Sequence, residues 1–68
     1  MIPAVSTRLL ELTRDQNIDV KIAAIEALGE GGSKIPAITS RLLELTRDFN
    51  NEVKIAAAKS LGRVSRKD

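Results

Sequence analysis

The side chains in this chain best suited to acid–base chemistry are carboxylates, among them Glu11, Glu44, Glu26 and Asp19. Two carboxylates can act as general acid and base when they converge on one bond and one is held away from water. Glu11 and Glu44 instead occupy matching positions on outward helix faces, where nothing is expected to desolvate them. Helpers are scarce. The 68 residues include no histidine, cysteine or tyrosine, so the commonest general base, the commonest metal ligand and the thiolate nucleophile are all missing. Hydroxyls at Ser6, Thr13, Ser40 and Thr46 have no base to activate them, and Thr13 and Thr46 are expected to bond backbone groups of their own helices. The stretch "GEGGSK" at residues 29–34 lacks P-loop spacing and a preceding strand, and reads as a turn. No catalytic, cofactor-binding or metal-binding residue is assigned. An enzyme is not expected, nor is a small-molecule substrate.

The charge balance narrows the partners. Eleven Lys and Arg stand against nine Asp and Glu, a net +2, which describes a mixed, solvated surface and not a nucleic-acid magnet. The basic cluster "GRVSRKD", with Arg63, Arg66 and Lys67, reads as a solvated tail. Phe49 is the lone aromatic residue, so base-stacking platforms are absent. No apolar run approaches the roughly 20 residues that cross a bilayer. Met1 leads directly into a helix-initiation pattern and not into a leader peptide. The expectation is a soluble protein in a reducing compartment, the cytoplasm.

What must position these residues is a repeat. Residues 2–30 align with 35–63 at a shift of 33, and 19 of the 29 pairs are identical. Self-similarity at this period marks a solenoid unit. We divide the single domain, 1–68, into repeat one (2–34) and repeat two (35–68). Ile2, Val5, Leu9 and Leu12 recur at steps of three and four, which places them on one helix face. Pro3 and Pro36 fit the first turn of a helix, where an N–H has no partner to lose. Val20, Ala23, Ala24, Ala27 and Leu28 form the alanine-rich apolar face of a second helix, which allows close axes. Asn17 and Asn50 fit as N-caps, with Ser33 a further N-cap candidate, and Asp19 and Glu52 place charge where the helix dipole favours it. Gly29 and Gly62 suit left-handed C-terminal positions. Four helices are predicted, at about 3–15, 18–29, 34–48 and 51–65, paired as antiparallel hairpins.

The stretch "DQNIDVKIAAIEALG" (15–29) and its echo "DFNNEVKIAAAKSLG" (48–62) resemble HEAT repeats of the phycobilisome-lyase-type, HEAT-like variety. Asp15, Val20, Lys21, Ala23, Ala24, Leu28 and Gly29 match the pattern, as do Asp48, Val53, Lys54, Ala56, Ala57, Leu61 and Gly62. The resemblance implies an all-α fold, an α-solenoid fragment of two helical hairpins. It also implies a ladder of ion pairs between units, carried by Asp15 with Lys21 and Asp48 with Lys54. Lys replaces the family's usual arginine at 21 and 54, losing the planar fork of donors. Thr7 and Ser40 stand where a proline tends to fall, so the first helices are expected to be longer and less kinked. Only two units are present, where solenoids normally have three or more.

In a HEAT stack the second helices line the concave contact surface. Projection at 100° per residue leaves Lys21, Ile22, Ile25 and Glu26 off the face centred on Val20 and Ala24, and likewise Lys54, Ile55, Ala58 and Lys59. Ile22, Ile25 and Ile55 either pack on the neighbouring unit or mark contact with another chain; Phe49 and Ile18 are loop anchors or the rim of that contact. Neither repeat carries the polar outer face of a cap. The leading expectation is a noncatalytic protein-interaction scaffold that self-associates as a homodimer or larger assembly, for example a four-unit superhelix from two chains. Three alternatives stay open: a partial subunit of a bilin lyase-type HEAT protein, a module gripping the nucleic-acid backbone through Lys21, Lys54, Lys59, Arg63 and Arg66, and an engineered or excised repeat fragment. Glu26 and Glu52 interrupt the basic track that the second would need.

Overall fold

Proline at the first helical position starts each hairpin. A computed structural model describes residues 2–31 and 34–65 and contains four helices: α1 (Pro3–Leu12), α2 (Ile18–Gly31), α3 (Pro36–Leu45) and α4 (Asn51–Val64). Ile2 and Ile35 hold the extended N-cap positions ahead of the prolines without a side-chain cap. Ser33 lies outside the described residues. The two asparagines cap as expected: Val20 N–H donates to Asn17 Oδ1 and Val53 N–H to Asn50 Oδ1, each at 3.1 Å.

The first helices end three residues early, at Leu12 and Leu45, and are not lengthened. Arg14 and Asp15 donate their N–H groups three residues back, to Glu11 and Leu12, and Arg47 and Asp48 do the same to Glu44 and Leu45. These tighter bonds close the last turn. The aspartate then diverts the chain, its carboxylate accepting from the backbone of Asn17 (2.8 Å) or Asn50 (2.9 Å). A side chain that satisfies a nearby N–H in a turn competes directly with one more turn of helix.

The helices form two layers. α1 neighbours α3 in one, α2 neighbours α4 in the other, and the α2–α4 contact is the most extensive between any two elements. The core lies between the layers and is supplied unequally by the repeats. Ile38, Leu42 and Leu45 of α3 are buried, whereas their counterparts Val5, Leu9 and Leu12 of α1 are exposed or half-buried.

The second helices bury more than the face expected of them. α2 buries Ala24, Ile25, Leu28 and Gly29, while Val20 and Ala27 are half-buried and Ala23 is exposed. Ile25, expected either to pack on the neighbouring unit or to contact another chain, is completely buried. The cause is that α2 packs on two sides, against α1 within its hairpin and against α4 of the next. Gly29 is also corrected. No described glycine has positive φ, and α2 runs on past it to Gly31. Its role is close approach: a Cβ at Gly29 would lie 2.5 Å from Ser60 Oγ and 2.9 Å from Ser60 Cα.

Gly29→Ala therefore adds about 1 kcal/mol of helix propensity but forces overpacking that costs about 1–3 kcal/mol. A net loss of about 0–2 kcal/mol is expected in urea denaturation, with Ser60→Gly restoring part of it. A gain from Gly29→Ala alone would mean that α2 and α4 separate without cost.

Candidate interaction surface

The contact between the two repeats is the best-defined piece of chemistry in the molecule. Thr13, at the end of α1, is fully buried and donates its hydroxyl to the carbonyl of Leu10 at 2.6 Å. The same oxygen accepts from Arg41 Nε of α3 at 2.9 Å, and Arg41 Nη2 reaches the Thr13 carbonyl at 3.4 Å. Arg41 also pairs with Glu44 at 3.0 Å. In the other layer, Ser60 Oγ donates to the carbonyl of Ile25 at 3.0 Å. Lys21 Nζ stands 3.6 Å from Asp48 Oδ1, with both side chains about four-fifths covered. Asp48 thus divides its labour: Oδ2 closes its own turn and Oδ1 faces repeat one.

The ion pairing differs in partner from the expected ladder. Lys21 meets Asp48 of the other unit and not Asp15 of its own. Asp15 accepts from Asn17, and neither Asp15 nor Lys54 makes an ion pair among the described residues. The Lys21 and Asp48 side chains retain about a fifth of their exposure, so their attraction is of the modest order found for partly solvated pairs, about 1 kcal/mol or less.

The residues expected on the concave surface are divided among three settings. Ile22, Ile55 and Lys59 come together, lining an open groove of about 320 Å³ between α2 and α4 with Glu26, Glu52 and Ala56. Ile22 is half-buried against the core, while Ile55 keeps 54% of its surface exposed. Lys21 is engaged with Asp48, and Ile25 is sealed inside. Lys54 is half-buried and Ala58 exposed, neither lining the groove. Of the two residues expected in the loops, Ile18 opens α2 and packs on the core, and Phe49 stands fully in solvent. Two carboxylates against one ammonium leave the groove without a basic track, and among the described residues no three acidic groups converge as a metal cage would require.

Sequence reasoning overlooked Arg41, Ser60 and Gly29 as links between repeats. Arg8 and Arg41 fall on a face that looks outward in a lone hairpin, and the second hairpin is what covers Arg41. A signal was present in the unbroken identity of "RLLELTRD" in both copies, which includes the polar Arg and Thr as well as the leucines.

Two stacked hairpins, joined helix to equivalent helix, form the arrangement against which a family assignment can be read. Residues 6–68 match the profile of the family described as HEAT repeats. The chain belongs to the HEAT-repeat family. No curated protein and no solved structure matches it. The match is to HEAT repeats at large and does not single out the lyase-type branch. HEAT repeats generally mediate protein–protein interaction, and the family is typically noncatalytic. Among the described residues no helix of this HEAT-repeat protein is long and apolar enough to cross a membrane.

Arg41→Lys keeps the charge but removes the fork that serves both Thr13 atoms. Denaturation at low protein concentration should show a loss of about 1–2 kcal/mol. Arg8→Lys, whose guanidinium meets Glu11 at a site 71% exposed, should show no measurable change under the same conditions. Equal losses would remove the repeat-to-repeat role of Arg41.

Proposed function

We propose that this HEAT-repeat chain is a noncatalytic protein-interaction scaffold that self-associates through its two end faces. One observation carries the reading. Positions buried where the two repeats meet are open on the flanks away from that contact: Ile38 is 0% exposed and its counterpart Val5 43%. Ile25 and Leu28 are sealed under α4, whereas Ala58 is exposed and Leu61 half-buried. A solenoid unit hides its apolar flanks only when neighbours stand on both sides, and among the described residues each repeat is covered on one side only.

The groove of Ile22, Ile55 and Lys59 is a second surface for a protein partner, small and amphipathic in character. Lys21, Lys54 and Ala58 belong to the stacking edge and not to this groove. A cytoplasmic setting belongs to the same reading. The bilin-lyase and nucleic-acid readings draw less support, since the groove is open and its charges are mixed.

Sedimentation equilibrium from low micromolar to millimolar chain concentration tests the proposal. The expected result is a mass that rises with concentration, with helicity increasing alongside if assembly stabilises the fold. A constant mass of 7.4 kDa throughout would overturn it.

A further inference from the structure

The two ends of this chain are not alike, and the difference fixes how copies can meet. This rests on the self-association proposed above and specifies its geometry. Repeat one offers to repeat two a forward edge: Lys21, Thr13, the Ile25 carbonyl and Gly29. Repeat two answers with a rear edge of Asp48, Arg41 and Ser60, engaged at the distances given above. Shifting by 33 residues finds closely similar sets again, with Ala27 in the place of Ser60 and Ala58 in that of Ile25 and with no contact between repeats among the described residues. Repeat two carries a second forward edge in Lys54, Thr46 and Gly62. Repeat one carries a second rear edge in Asp15, Arg8 and Ala27.

Gly62 is the telling residue. A glycine inside a helix weakens it relative to alanine. Gly29 has a reason to be there, because Ser60 occupies the space of its missing Cβ. At Gly62 a Cβ would meet nothing within 4 Å. Among the described residues nothing fills the space beside this helix-weakening residue, which lies at the position a further α2 would approach.

Charge decides the polarity. α2 carries Asp19, Glu26 and Glu30 against Lys21, a net −2; α4 carries Lys54, Lys59 and Arg63 against Glu52, a net +2. A two-fold dimer through either end would set α4 on α4 or α2 on α2, like charge facing like. A head-to-tail stack sets α4 of one copy on α2 of the next, repeating the opposite-charge contact already present inside the chain.

We infer that a second copy of this chain stacks head to tail on the first, its Asp15 meeting Lys54, its Arg8 meeting Thr46, and its Ala27 lying over Gly62. The contact is weaker than the internal one, because Ala58 replaces Ile25 and Ala27 lacks the hydroxyl of Ser60. It is heterologous, so each added copy leaves a fresh edge and growth ends only if the superhelix closes. Salt weakens it, since exposed charges set its polarity.

Two end-specific variants test this by sedimentation. Gly62→Glu obstructs the forward edge at a position with open space in the single chain. Ala23→Arg obstructs the rear edge at an exposed position whose counterpart, Ala56, is buried in the stack. Circular dichroism first establishes that both remain helical. Each alone should stay at 7.4 kDa, while an equimolar mixture should yield a species of two chains and no larger one. The milder Gly62→Ala should raise the melting temperature of the dilute chain and weaken association at least tenfold. If either blocked variant still dimerises alone as tightly as the unmutated chain, or if Gly62→Ala leaves association unchanged, head-to-tail stacking is overturned while self-association stands. An unmutated chain that never associates removes both.

Discussion

A helix packed on two sides must keep one of its contacts thin, and here that burden falls on α2. It serves α1 within its hairpin and α4 across the repeat boundary, and the second contact depends on Gly29 presenting no Cβ to Ser60. With the axes this close, Ser60 can reach the Ile25 carbonyl, which has a second lone pair beyond the one used in the helix ladder. The buried hydroxyl is thereby satisfied, and a lone polar group in the core would have cost more than its bond contributes. Widening the gap would break that bond and loosen the apolar layer of Ile25, Leu28, Val53 and Ala57 together. Close packing and polar satisfaction are one constraint at this crossing.

Around the crossing, the polar links set the offset of one repeat against the other more than they add stability. Asp48 and Thr13 each join a local turn to a distant partner: Asp48 holds the Asn50 turn and Lys21, and Thr13 holds the Leu10 carbonyl and Arg41. The loop geometry of each hairpin is therefore tied to the stacking of the pair. Apolar side chains alone would tolerate sliding by a fraction of a turn, whereas the arginine fork accepts a narrow range of positions.

Local signals in the sequence translated well into structure, and signals that depend on a neighbour did not. Proline at the first helical position and asparagine before the second helices act within a turn, so Pro3, Pro36, Asn17 and Asn50 could be placed from sequence. The ends of α1 and α3 ran long in expectation because apolar periodicity continues through Thr13 and Thr46, while the decision to stop lies with the Asp15 and Asp48 carboxylates. Ile25 is open in sequence between the neighbouring unit and another chain, because periodicity identifies one buried stripe and α2 has two. Arg41 was hidden by its likeness to Arg8. The two share sequence context and differ only in what stands beside them, which a pattern within one hairpin cannot express. Of the residues singled out in sequence, Ile22, Ile55 and Lys59 line the groove, Lys21 pairs with Asp48 across the repeats, and Ala58 is exposed outside the groove.

Where the copies diverge, they diverge with their surroundings. Val5 is shorter than Ile38 and more exposed; Ala58 is exposed where its counterpart Ile25 is buried; Ala27 is half-buried where its counterpart Ser60 is buried. Each change trims apolar bulk or drops a hydroxyl at an open face. None introduces the charged cover that a terminal cap uses. Trimming lowers the cost of meeting water without closing the surface to a neighbour, a compromise suited to reversible contact and poorly suited to a permanent interface. The charge differences add direction, since Glu26 and Glu30 in the first copy become Lys59 and Arg63 in the second. A duplicated unit retaining full symmetry would have no such preference between its ends. Three of the differences, Val5 against Ile38, Ala58 against Ile25 and Ala27 against Ser60, set a larger side chain where the repeats bury it and a smaller one on the uncovered flank.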